Sequence, residues 1–175
     1  MKVGILTASD KGARGEREDR SGPAVRELVE AAGGEVVRTV LVPDEPEAIR
    51  EVLVAWSDEG LDLILTTGGT GFSPRDRTPE ATRAVIEREA PGIAEAMRRA
   101  GAERTPTAIL SRGVAGIRKA SLIVNLPGSE RGARESLAAV LPALGHGVEI
   151  LKGAASECGH PEGVRSTFYP KSGKR

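Results

Sequence analysis

The sequence predicts an α/β fold in which a mostly parallel sheet is covered by helices on both faces. Short apolar runs that suit buried strands alternate with segments whose apolar residues recur at helical spacing. Glycine and proline punctuate most of the boundaries between these segments. Such alternation is typical of a three-layer arrangement with the sheet in the middle. The 175 residues are enough for one domain with a substantial core.

The first part of the chain predicts two strands separated by a helix. The apolar run from Val3 to Ala8 is the first strand, and the polar stretch KGARGEREDRSGP after it is expected to be a surface loop. The helix is expected to begin with Ser21 as its N-cap and to end at Gly33-Gly34. The β-branched run from Glu35 to Val42 predicts the second strand.

A second helix is expected after Pro43. Asp44 is followed three residues later by Glu47, a spacing that resembles a capping box and makes N-cap the ordinary role for Asp44. The same helix carries a stripe at i, i+3, i+4 and i+7 that predicts a core-facing side, formed by Ile49, Val52, Leu53 and Trp56.

The middle of the chain predicts a third strand, a loop and two further helical segments. Leu63 to Leu65 suits a buried strand, and Thr78 with Pro79 predicts the N-cap and first turn of a helix. That helix is expected to include Val85 and Ile86 and to be interrupted by Pro91. The next helical segment is expected to end at Gly101, away from any site.

The last part predicts a fourth strand and a long helix. Thr105 to Lys119 is irregular and suggests a second loop at a site, around Ser111. Ala120 to Leu126 is the fourth strand, after which Ser129 is expected to cap a helix. A final short element is expected from about Leu144 to Leu151.

The stretch between the third strand and its helix predicts a phosphate-binding loop. Gly68, Gly69 and Gly71 let the backbone turn and approach a ligand, and Thr70 adds a hydroxyl beside the amides. The loop has no lysine, which excludes a Walker loop, and its length of about ten residues exceeds the tight turn of a dinucleotide fingerprint. The alternative is a flexible glycine-rich connection, which the charged sequence Arg75-Asp76-Arg77 disfavours.

The predicted fold brings several loops to one edge of the sheet. Ligand loops in parallel sheets gather at the carboxyl ends of the strands. The loops that follow the four predicted strands, together with the second loop, therefore give the candidate site residues Ser9, Asp10, Asp44, Thr67, Gly68, Gly69, Thr70, Gly71, Arg75, Asp76, Ser111, Asn125, Pro127, Gly128 and Ser129.

Composition restricts the class of protein. Lys and Arg number 25, as do Asp and Glu, so the chain lacks the basic excess of a general nucleic-acid binder. No segment is long and apolar enough for a membrane span, and the N-terminus does not resemble a signal peptide. The single Cys158 suits a reducing compartment, so a cytoplasmic location is expected. Cys158 and His160 are too few ligands for a structural zinc site.

The signature TTGGTGFSPRDRTPEAT resembles the Mog/MoaB family of molybdopterin adenylyltransferases in molybdenum cofactor biosynthesis. The resemblance extends to DRSGP, VPDE, PTAILSRGVAGIRK and NLPGS and covers roughly residues 1–153. It implies the molybdopterin-binding fold of that family, assembled as a homotrimer or as a hexamer of two trimers. It also implies transfer of AMP from Mg-ATP to the terminal phosphate of molybdopterin with release of pyrophosphate. Residues 154–175 are expected to form an extended or partly disordered polar tail.

The resemblance also implies roles for individual residues. The acidic pair of the family corresponds to Asp44 and Asp76, which are expected to act in catalysis and to hold Mg²⁺. Its pterin and nucleotide loops correspond to Gly68–Gly71, Ser111 and Asn125–Ser129. For Asp76 the alternative is a salt bridge to Arg75 or Arg77, or a local turn cap.

Two alternative functions remain open because a fold does not guarantee a reaction. One is a non-catalytic molybdopterin-binding or oligomeric scaffold protein. The other is a nucleotide hydrolase, since the domain also resembles part of the competence-damage-inducible proteins. A tungsten pathway is a further alternative to molybdenum.

Overall fold

The computed structural model describes residues 1–153. The predicted tail at residues 154–175, which includes Cys158 and His160, lies outside the described residues. No helix among residues 1–153 is both long enough and apolar enough to cross a bilayer.

A six-stranded sheet forms the middle of the fold. Its strand order is β2-β1-β3-β6-β5-β4. The first four strands in that order are parallel, while β5 and β4 are antiparallel at one edge. The strands are β1 (Lys2–Ala8), β2 (Glu35–Val42), β3 (Leu63–Thr67), β4 (Arg88–Glu89), β5 (Ala115–Arg118) and β6 (Ser121–Leu126). The prediction of a mostly parallel sheet is confirmed.

Helices cover both faces of this sheet and enclose two hydrophobic cores. One core joins the sheet to α2, α5 and α6 through buried residues that include Val29, Met97 and Leu137. The other joins it to α3 and α4 through residues that include Leu53 and Ala81. The helices are α1 (Asp10–Ala13), α2 (Ser21–Ala31), α3 (Pro46–Asp58), α4 (Thr78–Arg83), α5 (Pro91–Ala102) and α6 (Glu130–Leu151), with a 3₁₀ helix at Pro106–Leu110. The three-layer prediction is therefore confirmed.

The antiparallel edge of the sheet is absent from the sequence prediction. Val85 and Ile86 follow the end of α4 instead of continuing it, and the segment after them pairs as the two-residue strand β4. The stretch expected to be irregular contains β5. Gly116 in β5 admits this pairing, because a Cβ there would lie 2.8 Å from the carbonyl oxygen of Arg88. Both strands are too short for a two-residue periodicity to reveal them.

Helix starts also differ from the sequence prediction. Ser21 is the first residue of α2, and the amide of Gly22 is capped instead by Asp19 Oδ1 at 2.9 Å. Asp44 lies two residues before the start of α3 and does not cap it, since Glu45 is the N-cap residue. Thr78 is the first residue of α4, and its hydroxyl is buried without a hydrogen-bond partner. All three predictions of a capping side chain at these positions were wrong.

Two further segments are more helical than expected. The polar stretch after β1 begins with the short helix α1, whose N-cap Ser9 accepts a hydrogen bond from the amide of Gly12. The segment from Leu144 is not a separate element, because α6 continues through Pro142 to Leu151. Ser129 caps α6 by accepting a hydrogen bond from the amide of Gly132 at 3.1 Å, as predicted.

Candidate functional site

The carboxyl ends of the four parallel strands carry the loops that form the site. Ser9 follows β1, Asp44 follows β2, and Gly68 follows β3. Pro127 follows β6, the fourth strand of the parallel set. Parallel pairing aligns these strand ends, so the loops meet at one rim as the sequence predicts.

The glycine loop turns sharply directly after β3. Gly68 and Gly69 have φ angles of +97° and +62°, in the region that side chains disfavour. A Cβ on Gly68 would collide with the carbonyl oxygen of Ala8, and one on Gly69 would collide with the hydroxyl of Thr78. Atoms of β1 and α4 therefore occupy the space that side chains at Gly68 and Gly69 would need, whereas the sequence predicts that this space serves the ligand.

Hydrogen bonds hold the glycine loop against its neighbours. Thr67 is fully buried and donates from Oγ1 to the carbonyl oxygen of Pro127 at 2.7 Å. The amide of Gly68 donates to Leu126 O at 3.3 Å, and the amide of Thr78 donates to Gly69 O at 3.1 Å. The loop therefore has a fixed backbone before any ligand binds.

Arg112 anchors the far side of the same loop. Its backbone amide donates to Thr70 O at 2.9 Å, and its Nε donates to Gly71 O at 2.7 Å. Its guanidinium also donates to the carbonyl oxygen of Asp76 and pairs with Glu80. Burial is the largest single influence on Glu80 and would raise its pKa, but the hydrogen bonds from Arg112 and from the backbone, together with the charges of Arg112 and Arg77, lower the pKa. Arg112 thus joins the second predicted loop to the first.

Asp10 and Asp44 connect the loops after β1 and β2. The amide of Asp10 donates to Asp44 Oδ2 at 2.8 Å, and the amide of Asp44 donates to Asp10 Oδ1 at 3.0 Å. Arg75 donates from Nε to Asp10 Oδ2 at 2.9 Å and also contacts Glu45 at 2.6 Å. The predicted binding residues Asp10 and Arg75 therefore contact each other.

The two carboxyl groups of this link have opposite pKa shifts. The hydrogen bond from Arg75, followed by that from the amide of Asp44, lowers the pKa of Asp10. Burial raises the pKa of Asp44, and the nearby carboxylates of Asp10 and Asp76 raise it further. Asp44 is therefore a carboxyl group that a bound cation would stabilise in its charged form.

Two cavities open beside these loops and share a wall. The larger, here called the loop cavity, has a volume of about 690 Å³ and lies against Ser9, Asp19 and Asp44. The smaller, here called the inter-helix cavity, has a volume of about 380 Å³ and lies between α5 and α6. The residues common to both form the shared wall, which consists of Gly69, Asp76, Gly128 and Ser129.

The inter-helix cavity is lined by one face of each of two helices. From α5 come residues at i, i+3, i+4 and i+7, and from α6 come residues at i, i+3 and i+4. The 3₁₀ helix adds Thr107, Ala108 and Leu110. The helical faces consist of Ala94, Met97, Arg98 and Gly101 on α5 and of Gly132, Glu135 and Ser136 on α6.

Twelve of the fifteen predicted site residues line these cavities. The loop cavity alone includes Ser9, Asp44 and Gly68. The inter-helix cavity alone includes Thr70, Gly71, Ser111, Asn125 and Pro127. The other four of the twelve belong to the shared wall. The three predicted residues that line neither cavity are Asp10, Thr67 and Arg75.

Asn125 lies at the floor of the inter-helix cavity with its amide group already engaged. Its Nδ2 donates to the hydroxyls of Thr66 and Thr82, and its Oδ1 accepts from the amide of Val114. The side chain is only 1% exposed. Asn125 therefore joins β6 to β3, to α4 and to the residue before β5 beneath the site.

Several cavity residues are missing from the sequence prediction. Arg98, Gly101, Glu135 and Ser136 were interpreted as parts of ordinary helices, and Gly101 was expected to lie away from the site. No local pattern identifies them, because two helices must pack before their facing sides can enclose a cavity. Asp19 could have been found, since it stands in the DRSGP segment and lines the loop cavity.

Sequence comparisons find related proteins that cover most of the chain. A family model described as "Probable molybdopterin binding domain" matches residues 4–146. The chain is 44% identical over 156 residues to the molybdopterin adenylyltransferase of Helicobacter pylori, covering 87% of this chain and 89% of that protein. It is 40% identical to gephyrin of Dictyostelium discoideum, covering 97% of this chain and only 25% of gephyrin.

Solved structures give the same result. The molybdopterin biosynthesis enzyme MoaB from Thermus thermophilus superimposes with a TM-score of 0.83 at 60% sequence identity, covering 87% of this chain and 96% of that one. Fold and sequence therefore agree, and the chain belongs to the family of molybdopterin binding domains.

Proposed function

We propose that this protein transfers AMP from ATP to the terminal phosphate of molybdopterin and releases pyrophosphate. The observation that carries the proposal is the pair of cavities that share the wall formed by Gly69, Asp76, Gly128 and Ser129. A transfer between two substrates needs two sites whose reacting ends meet, and a shared wall provides that meeting point. Relatives 40–44% identical that are named molybdopterin adenylyltransferase support the same reaction.

The chemistry requires positioning more than proton transfer. A phosphate monoester is largely ionised near neutral pH, so its oxygen can attack the α-phosphorus of ATP without a strong general base. The new P–O bond forms as the bond to the leaving pyrophosphate breaks. Residues of the glycine loop and of the start of α6 form the shared wall, and their backbone amides that are not hydrogen-bonded within the protein would stabilise the negative charge of both phosphates.

We further propose that Asp44 and Asp76 hold Mg²⁺ with the nucleotide phosphates. No three acidic, histidine or cysteine side chains cluster as a ready-made metal site within residues 1–153. This fits Mg²⁺, which proteins bind through one or two carboxylates while substrate phosphates and water supply the other ligands. Both carboxylates line the loop cavity, and Asp44 is half-buried with the carboxylates of Asp10 and Asp76 nearby. The ion would neutralise charge on the transferring phosphate.

For the oligomeric state and compartment, our proposal rests on the resemblance and the composition. We expect a homotrimer or a hexamer in the cytoplasm, where the single Cys158 stays reduced. Phe72 and Ile109 are 68% and 64% exposed, which suits contacts with other copies of the chain. Light scattering that finds only monomer across micromolar to high-micromolar concentrations would contradict this expectation.

The deciding experiment is incubation of the protein with molybdopterin, ATP and Mg²⁺, followed by mass detection of adenylylated molybdopterin. We expect that product together with one pyrophosphate for each molecule formed. Binding of molybdopterin without any product would favour a non-catalytic or scaffold role. Nucleotide turnover that continues without molybdopterin would favour a hydrolase.

A further inference from the structure

The inter-helix cavity is lined by two carboxylates, and one of them, Glu135, is not among the predicted site residues. Glu135 lies on the second turn of α6, and its side chain is 27% exposed. Arg131 donates to Glu135 Oε1 at 2.9 Å. A carboxylate has about four acceptor positions in total, so Glu135 keeps the capacity to accept hydrogen bonds from a ligand.

The surroundings of Glu135 suit a flat ring. Ala94, Met97, Ala108 and Leu110 give the cavity apolar walls, while Ser136 adds a hydroxyl that is largely buried. Ligand pockets commonly combine such apolar walls with a few polar groups that fix the ligand's orientation. Gly132 and Gly101 keep the facing turns of the two helices free of side chains. The cavity therefore has space for a heteroaromatic ring, with one acceptor-only group at its side.

The two rings available to the proposed reaction differ at their hydrogen-bonding edges. A pterin presents its ring N3–H beside its 2-amino group, which makes two adjacent donors. Adenine presents its 6-amino group beside N1, which makes one donor and one acceptor. A carboxylate accepts only, so it binds two adjacent donors in bidentate fashion but is repelled by the acceptor of adenine.

We infer that Glu135 recognises the 2-amino-4-oxopyrimidine edge of the pterin, and that the inter-helix cavity is the pterin's cavity. This inference rests on the proposed function and adds the residue that selects between its two substrates. It leaves the loop cavity to the nucleotide, whose phosphates would then lie at the shared wall beside Asp44 and Asp76. The attacking phosphate of molybdopterin reaches that wall from the opposite side.

Other carboxylates are less suited to this task. Asp19 already accepts hydrogen bonds from Thr7, Ser21 and the amide of Gly22. Asp76 stands at the shared wall, where its Oδ2 accepts from the amide of Ser73 at 2.8 Å and where phosphates are expected. Glu135 is therefore the carboxylate whose position fits the ring end of the substrate.

The first test compares Glu135→Gln with two controls in the adenylyl-transfer assay. Glutamine keeps the size of the side chain but places an amide N–H group against the donors of the pterin, so KM for molybdopterin should rise about 10- to 100-fold. KM for ATP should stay within about twofold. Glu149→Gln removes an acid from the same helix outside both cavities, and Arg131→Ala removes the partner of Glu135 while keeping its carboxylate. Neither control should change KM for molybdopterin.

The second test measures ring recognition without catalysis. Pterin and lumazine, in which an oxo group replaces the 2-amino group, are titrated into the protein while their fluorescence is recorded. Wild type and both controls should bind pterin at least about tenfold more tightly than lumazine, whereas Glu135→Gln should bind the two alike.

The outcomes separate this inference from the proposed function. If Glu135→Gln retains the wild-type KM for molybdopterin and the preference for pterin while transfer proceeds, Glu135 has no such role and the proposed function stands. A rise in KM for ATP instead would place the nucleotide in the inter-helix cavity and overturn the inference. If wild type binds no pterin and forms no adenylylated product, both proposals fail.

Discussion

The two cavities are built in different ways although they share a wall. The loop cavity lies among the loops at the ends of β1, β2 and β3, and its lining is rich in charged residues. The inter-helix cavity is formed by the facing sides of α5 and α6, and its lining contains more apolar residues. The loop cavity gains its polar groups from strand ends, whereas the inter-helix cavity gains its shape from small residues on packed helices.

This difference teaches where each type of site can be recognised. Residues that follow a strand in a parallel sheet lie at a common edge whatever else the fold does, so their position follows from the order of elements alone. Residues on a helix face the core, solvent or a cavity depending on the neighbouring helix. The position of the loop cavity is therefore fixed by the topology of the sheet, and that of the inter-helix cavity by the packing of helices. Substitutions in each region can test this distinction.

The largest effect is expected at Asp76, which belongs to the shared wall. Asp76→Asn keeps the size of the side chain but removes one negative charge from the proposed Mg²⁺ site. The rate of adenylyl transfer should fall on the order of 10²-fold or more, the scale for losing a major electrostatic group. The affinity for pterin should stay nearly unchanged, because the ring binds away from this charge. Steady-state kinetics and a binding titration give the two values.

Asp58→Asn is the matched control for this substitution. Asp58 contacts Lys119 at 2.8 Å on the surface and lines neither cavity. Its loss should leave the transfer rate unchanged. A folded Asp76→Asn protein with wild-type turnover would remove Asp76 from the catalytic machinery and leave the shared wall as a structural feature only.

A smaller effect is expected at Gly69, where loop geometry and packing act together. Gly69→Ala places a Cβ at φ +62°, which costs about 1–2 kcal/mol of stability, and also forces it against the hydroxyl of Thr78. Gly60→Ala introduces a similar strain at φ +79° with no atom within 4 Å of the new Cβ. Thermal unfolding should show a larger loss for Gly69→Ala, and binding titrations should show weaker affinity for both ligands only in that variant.

The double variant Gly69→Ala/Thr78→Ala isolates the collision from the strain. Removing the Thr78 hydroxyl should recover part of the stability lost in Gly69→Ala. The remaining loss of stability should be close to that of Gly60→Ala. If the Gly69→Ala and Gly60→Ala proteins had equal stability and unchanged ligand affinities, the glycine loop would tolerate a side chain at position 69. The conformation of this loop would then not be what holds the shared wall in place.

The smallest effect is expected at Arg75, which acts only on the loops beside the loop cavity. Arg75→Ala should raise the pKa of Asp10, because the hydrogen bond from Arg75 is the main cause of its lowering. A lowered pKa stabilises the fold at pH above the unfolded pKa, and this stabilisation disappears as pH falls through the folded pKa. The Tm difference between wild type and variant should therefore shrink on acidification. An NMR titration of Asp10 that shows the same pKa in both proteins would contradict the assignment.

The sequence predicted the rim of the site well and its interior less well. Ser9, Asp44, Gly68 and Ser129 could be placed because each follows a strand that a short apolar or β-branched run identifies. Asp44 was nevertheless expected to cap α3, because a capping-box spacing gives no sign that the carboxylate is paired with the amide of Asp10 after another strand.

The interior depended on contacts between segments distant in the chain. Glu135 and Gly101 become neighbours of one cavity only when α5 and α6 pack, and nothing in either helical pattern identifies the gap between them. The β4–β5 edge was missed for the same reason, since its pairing depends on Gly116 admitting the backbone of Arg88. Local propensity predicts elements, whereas cavities arise from the way those elements pack.

The shared wall limits how this protein can be changed to accept other substrates. A substitution that changes the size of the side chain at Gly69, Asp76, Gly128 or Ser129 alters the shape of both cavities, so a change made for one substrate would disturb the other. To alter nucleotide specificity, we would therefore substitute residues that line only the loop cavity. To alter pterin specificity, we would substitute residues that line only the inter-helix cavity. Libraries that vary the two unshared linings separately should yield independent specificities, while variation at the wall should yield mainly inactive proteins.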